Sequence, residues 1–523
     1  MPVRSNFPGV YVEEISSGVR PIASVATSIT AFVGRTARGI VGEPVAVLSS
    51  GDFTRDFGGP WADSPLTYAV EDFFTNGGSQ ALIVRLFNDD EGRGVANVTV
   101  GTLDLTAGSP GAWGNGLQAT VSGPADRPAA KFLAQQLQDR GIPVELEDLF
   151  DMTVVDRGTK TEEIHRNLTV REAGGPHRID RVLEADSRLV RHAVITDDNL
   201  ERPADEAKGA GENGHDGAAL AVTDYLGTPA DQTGLHALEK AHIFNLLCIP
   251  PDTRDGDLDP RVWADAAEFC HDCRAFLIID PVADWDADPA RAAATVYASQ
   301  QRDPILPLTH ARNAALYFPR LIQRDRLQKG RKGKFVPCGA IAGIIARTDE
   351  TRGVWKAPAG MEASIQGIES LTVELGNEDH GQLNTIAVNC LRRFTGRGLV
   401  VWGARTLRGS DQLGDEYKYV PVRRLALHIE ESLYRGTQWV VFEPNDEPLW
   451  TQLSANVVGF MHQLFQQGAF QGTTPDEAYF VKCDSETTTL SDINNGILNF
   501  TVGFAPLKPA EFVVLRLQHR FSM

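Results

Sequence analysis

Apolar and polar positions alternate with a period of two at both ends of the chain, in "NFPGVYVEEI" (6–15) and "PAEFVVLRLQHRF" (509–521). Each reads as a strand with no neighbouring partner, and the first leads into the loose stretch "SSGVRPI". Between them the pattern is that of an α/β protein. "SITAFVGRT" (28–36) and "PVAVLSS" (44–50) predict strands. "SPLTYAVEDFFTNGG" (64–78) predicts a helix, with Ser64 as N-cap, Pro65 in the first turn and Gly77 past its end. Leu66, Ala69, Val70, Phe73 and Phe74 share one face, and "QALIVRLF" follows as a buried strand.

From 89 to 222 the chain changes to short strands broken by Gly, Pro and charge, with "GSPGAWGNG" (108–116) and the polar run "DEAKGAGENGHDG" (205–217). An inserted β-rich domain with mobile edges is expected. Helix–strand alternation returns in "TGLHALEKAHIFNLLCIPP" (233–251) and "VWADAAEFCHDCRAFLIIDP" (262–281). Near 353 a last part begins, with two amphipathic helices. The first, 421–436, starts at Pro421 and carries a stripe of Val422, Leu425, Ile429 and Leu433, leaving Arg423 and Arg424 off it. The second, 447–468, aligns Leu449, Leu453, Val457, Phe460 and Leu464 and stops at Gly468. The expected organisation is a strand arm (1–21), a core α/β domain in two parts (22–88 and 223–352), an inserted outer β-rich domain (89–222), a C-terminal α+β inner domain (353–506) and a second strand arm (507–523).

Length and charge add that the 523 residues can bury ample core, and that 50 basic against 69 acidic residues, a net charge of −19, argue against a nucleic-acid partner. No apolar run approaches the ~20 residues of a membrane span, and Pro8 and Gly9 interrupt the place of a signal peptide's apolar region, so a cytosolic chain without membrane binding is expected. Six scattered cysteines suit reduced core thiols.

Candidate chemistry is thin. A phosphate loop fails because Gln328 stands where the first glycine before Gly333-Lys334 would be needed. "GRGLVVWG" (396–403) runs into a strand instead of opening a helix, unlike a dinucleotide fingerprint. Cys270 and Cys273, with His271 between them, fall in a helix without a second ligand pair. His428 and His462 sit on amphipathic helices, and "DSETTTLSDINNG" (484–496) lacks the spacing of a calcium loop. No catalytic, cofactor-binding or metal residue is assigned.

An ordered set of segments spans nearly the whole chain: "FPGVYVEE" (7–14), "SPGAWGN" (109–115), "HDGAALAVTDYLG" (215–227), "FNLLCIPP" (244–251), "ALYFPRL" (315–321), "GVWKAPAG" (353–360), "VVWGARTL" (400–407), "YVPVRRL" (419–425), "WVVFEPNDEPLW" (439–450) and "PAEFVV" (509–514). In these the chain resembles the contractile tail sheath family of bacteriophages and bacterial contractile injection systems. One departure is "LNTIAVN" (383–389), where the family often has a glycine in an "LN..GIN" pattern, so the turn which that glycine permits loses its signal.

The resemblance implies a non-enzymatic structural subunit, without cofactor, that forms stacked six-membered rings around an inner tube, with baseplate and terminal cap proteins as further partners. It implies assembly in the cytoplasm into a phage tail or tail-like particle, and contraction from a metastable extended state. The terminal arms would lend strands to neighbouring subunits: Val10, Tyr11, Val12, Glu13, Glu14 and Ile15 at one end, Phe512, Val513, Val514, Leu515, Arg516 and Leu517 at the other. Arg423 and Arg424 would face the tube, although a structural salt bridge to a nearby carboxylate suits them nearly as well. The family's subtilisin-like fold is analogy only here, because no nucleophile motif accompanies it. A non-contractile shell, or less readily an α/β hydrolase, is the alternative.

Overall fold

A computed structural model describes residues 20–512, apart from 90, 91, 93, 193–200, 303 and 306–309, and the side chains of 172–174. The α/β class holds. Strands β1 (Thr30–Gly34), β2 (Val45–Val47) and β3 (Ala81–Arg85) open the chain, and β1 and β3 are buried at every position, as strands covered on both faces must be.

The insert supplies seven strands: β4 (Asn97–Val100), β5 (Leu103–Ala107), β6 (Leu117–Ser122), β7 (Phe150–Asp156), β8 (Thr161–Leu168), β9 (Val190–His192) and β10 (Lys208–Glu212). They form an antiparallel sheet in the order β8-β7-β6-β10-β4-β5-β9. The polar run at 205–217 is thus not a mobile edge: β10 lies at the centre of this sheet. Its glycines serve close approach, since a Cβ on Gly211 would stand 1.9 Å from the Gly114 carbonyl oxygen.

After the insert come β11 (Leu246–Cys248), β12 (Phe276–Ile279), β13 (Ala314–Phe318), a small sheet of β14 (Leu321–Asp325), β15 (Arg331–Phe335) and β16 (Ser370–Leu371), then β17 (Val388–Phe394) and β18 (Gly398–Val401). The main sheet runs β18-β17-β13-β12-β11-β1-β3-β2. The six strands from β17 to β3 are parallel, and β18 and β2 are antiparallel edges. The sequence groups everything after 353 with the C-terminal domain, but β17 pairs with β13 and completes the core sheet. Pattern alone locates a strand and not its partner.

Helices Pro65–Thr75 and Cys338–Arg352 cover one face of this sheet, and helix Pro260–Asp272 covers the other. Ser64 occupies the N-cap position, yet its hydroxyl donates to the Arg35 carbonyl instead of accepting from its own helix. Three arginines join insert to core. Arg38 pairs with Asp156 at 3.0 Å, Arg85 donates to the Pro110 carbonyl at 2.8 Å, and Arg188 meets Asp56 at 2.7 Å.

Asp72 and Asp280 are among the carboxyls buried in the described residues. Burial pushes Asp72 and Asp280 up to about 7, opposed by hydrogen bonds from Gln323 to Asp72 and from the Cys338 amide to Asp280. A raised folded-state value means stability present below the unfolded carboxyl's ordinary value and lost as pH rises through about 7. Asp72→Asn is therefore expected to flatten the loss of stability between pH ~5 and ~8, read from urea unfolding midpoints at both values.

The turn that lost its glycine still forms. Ala387, fully buried, holds φ +65° between helix Asn377–Thr385 and β17. That conformation costs an L-residue about 1–2 kcal/mol. Ala387→Gly relieves it but loosens the unfolded chain, so a net gain of about 0.5–1 kcal/mol is expected in denaturant melts.

Candidate assembly surfaces

In open α/β sheets ligands bind beyond the carboxyl ends of the strands, where the strand order reverses. Here that point lies between β1 and β11, and in-chain ion pairs occupy its surroundings. Arg35 meets Asp252 at 2.6 Å, and Arg320 donates to the carbonyls of Pro281, Gly256 and Arg254 and to Asp257. Nearby, Arg254 pairs with Asp325 at 2.6 Å and stacks over Tyr68. Each cation is already paired with protein groups.

Cys270 is buried in helix Pro260–Asp272 and Cys273 follows it; burial raises both thiols, Cys273 to about 11, which leaves little thiolate for a metal or an electrophile. His271 points outward beside Asp272. Asp484 and Asp492 accept hydrogen bonds from neighbouring Thr and backbone groups, forming local turns. His428 is buried, its ring 3.0 Å from the Ser24 hydroxyl, and burial lowers it to about 4.

The two ends of the described chain are tied to the body by dedicated contacts. At the N-terminal end the Arg20 amide donates to Asn456, its guanidinium lies 4.8 Å from the centre of the Trp439 ring, and Ile22 is buried against Gly436. The Val25 amide reaches the Ser432 hydroxyl at 3.3 Å. These partners lie on or between helices Val420–Gly436 and Glu447–Gln466. Val10 to Ile15 lie outside the described residues.

At the C-terminal end Glu511 takes two hydrogen bonds from the guanidinium of Arg405, at 2.7 and 2.6 Å, and one from the Tyr419 hydroxyl. Arg405 is 0% exposed and also donates to the carbonyls of Asn384 and Gly409 and to Asp411. This node sits beside a cavity of about 740 Å³, with Trp355, Trp402 and Tyr419 among its walls and residues 507–512 along one side. Phe512 is exposed, and Val513 to Leu517 lie outside the described residues. Sequence reading missed Arg405; the signal available was the lone Glu511 in an apolar stretch, which demands a cation once buried.

Beside these anchors lies a two-stranded antiparallel ribbon of β19 (Tyr479–Lys482) and β20 (Thr501–Phe504). Neither strand has a second neighbour among the described residues, and Phe480 on β19 is exposed. Tyr479, Val481, Val502 and Phe504 pack one face of the ribbon against helix Glu447–Gln466, while the outer edge of each strand has no strand partner among the described residues.

Arg423 and Arg424 do lie on helix Val420–Gly436, but both are turned inward, 5% and 4% exposed. Arg424 makes a two-pronged pair with Asp349 at 2.6 and 2.8 Å and donates to the Thr27 carbonyl. Arg423 donates to Asn313 and Glu430 and stacks over Tyr417. The structural salt bridge is the geometry found. Both side chains thus find their partners within the chain, and contact with a tube is not part of what this geometry describes. Arg424→Glu would bury two facing carboxylates, and it is expected to cost about 3–5 kcal/mol, or to prevent folding, in urea unfolding followed by circular dichroism.

Residues 233–407 match the central domain of the phage tail sheath protein and residues 413–520 its C-terminal domain, together just over half of the chain. The chain belongs to the phage tail sheath protein family. The tail sheath protein of Vibrio phage KVP40 is 25% identical over 186 residues, 35% of this chain and 26% of that one. That of Enterobacteria phage T4 is 24% identical over 184 residues, 35% and 27%. The match spans about a quarter of the length of these curated relatives. The fold is shared along nearly the whole chain with the sheath of an extracellular contractile injection system, the PVC sheath complex in its contracted state (TM-score 0.56, 20% identity, 99% of this chain and 98% of that one). It is also shared with the sheath tail protein of Listeria innocua (TM-score 0.59, 12% identity, 93% and 96%).

Proposed function

We propose that the protein is the repeating subunit of a contractile sheath, which polymerises in the cytoplasm as stacked six-membered rings around an inner tube and shortens to drive that tube through a target envelope. The observation that carries this reading is the pairing of two anchored chain ends with an unpaired ribbon in one molecule. A strand leaving one copy is what the open edges of β19 and β20 on another copy accept, by main-chain hydrogen bonds. Arms fixed at Arg20 and Glu511 keep copies linked while the bodies rotate against one another.

Baseplate and cap proteins would close the two ends of the assembly, and the seven-stranded insert would face outward. No catalysis is assigned to the chain. Work would come from the difference between two packings, where even ~1 kcal/mol per subunit, the scale of one modest hydrogen bond, becomes large over hundreds of copies. Electron microscopy of particles purified with this chain tests the reading. Tubes of two lengths, the shorter one wider, are expected; tubes of a single length after every trigger would mean a static shell.

A further inference from the structure

The connection between helices Val420–Gly436 and Glu447–Gln466 carries an aromatic residue that no other described residue covers. Phe442 is 103% exposed and holds φ +71°, a left-handed conformation unfavourable for a bulky side chain. The loop is not slack. The Val441 amide donates to the Gln438 carbonyl and the Glu443 amide to Val440, while Asn445 accepts from the Trp450 indole and donates to the Ile497 carbonyl. A strained backbone held by this many bonds displays the ring outward, where the fold gains nothing from it. Val441 beside it is exposed, and so is Ile497 across the Asn445 bond, so the apolar surface is a patch.

We infer that this patch docks on a second copy of the same chain, with Phe442 as its aromatic anchor. The inference rests on the sheath reading and deepens it. The described chain begins at Arg20, which stacks on Trp439, three positions before Phe442. Ile15 precedes Arg20 by five residues, which fully extended reach at most roughly 17 Å. A copy that accepts residues 10–15 must therefore come that close to Trp439, three positions from Phe442. Ile497 lies four positions before β20, whose outer edge is open among the described residues. An apolar anchor meeting a different surface of the next copy is a head-to-tail contact, the kind that generates helical assemblies.

The experiment places photoreactive benzoylphenylalanine at position 442 of the full chain, irradiates assembled tubes and identifies the joined peptides by mass spectrometry. Crosslinks between two copies of this chain are expected. Phe442→Asn, chosen because Asn tolerates the left-handed conformation, is expected to fold as the parent does in near-ultraviolet circular dichroism. It should raise the concentration at which polymer appears by about thirtyfold, the scale of losing one buried aromatic anchor. Crosslinks confined to another polypeptide such as the tube, or polymer from Phe442→Asn at the parental concentration, would overturn the inference while leaving the sheath reading intact. Absence of any tubular polymer from the parent chain would overturn the sheath reading and this inference with it.

Discussion

Replacing Arg405 with methionine is expected to lower the unfolding free energy by about 3–5 kcal/mol, the usual cost of removing one partner from a buried ion pair. Methionine fills much of the volume of the arginine stem but donates nothing. Glu511 would then lie against the body without its cation, and the carbonyls of Asn384 and Gly409 would each lose a donor. The milder partner substitution, Glu511→Gln, keeps a side chain of similar shape that still accepts from Tyr419, and Arg405 retains Asp411. It should cost nearer 1–2 kcal/mol. Combining the two should cost less than their sum, because both remove the same contact. Urea titrations of the four proteins give all the terms. Strict additivity would show that Arg405 braces the 384–411 loops and leaves Glu511 to hold itself.

This node shows where sequence reading stops. Local grammar was legible: Pro65 and Gly77 bracket a real helix, Pro421 and Gly436 another, and the apolar runs at 30–34, 81–85 and 276–279 are the buried strands they promise. What depends on a distant partner was not. "DEAKGAGENGHDG" carries every mark of a loop, and becomes a central strand because its glycines let another backbone approach. Arg423 and Arg424 fall off the apolar stripe and would be solvated on an isolated helix. Asp349, Asn313 and Thr27, up to 397 positions away in sequence, turn them inward. The same holds for the strand at 388–394, whose periodicity states that it is a strand but not that β13 is its neighbour. For the arms, the sequence read a strand pattern that lies almost wholly outside the described residues, and the structure adds the contacts that hold the chain at Arg20 and Glu511.

The N-terminal contacts separate two truncations that sequence alone treats as one. Deleting residues 1–18 leaves Arg20 on Trp439, Ile22 against Gly436, Ser24 beside His428 and the Thr27 carbonyl on Arg424. The unfolding midpoint is therefore expected to stay near that of the full chain, while polymer formation is lost with the strand that would join one copy to the next. Deleting residues 1–27 removes those contacts as well. Loss of a buried isoleucine costs about 2–5 kcal/mol, and a stranded donor on a buried arginine adds about 1–3 kcal/mol, so this chain should be clearly destabilised or aggregate. Val12→Pro is the mildest version: it deletes one backbone donor and fixes φ within the segment expected to pair, without touching any anchor. If the arm is donated, Val12→Pro and the shorter deletion share one phenotype, a stable monomer that does not polymerise, and only the longer deletion affects folding. Should the shorter deletion lower stability by several kcal/mol, the N-terminal strand pairs within its own chain; should it still build tubes, the copies are held by their bodies and not by their arms.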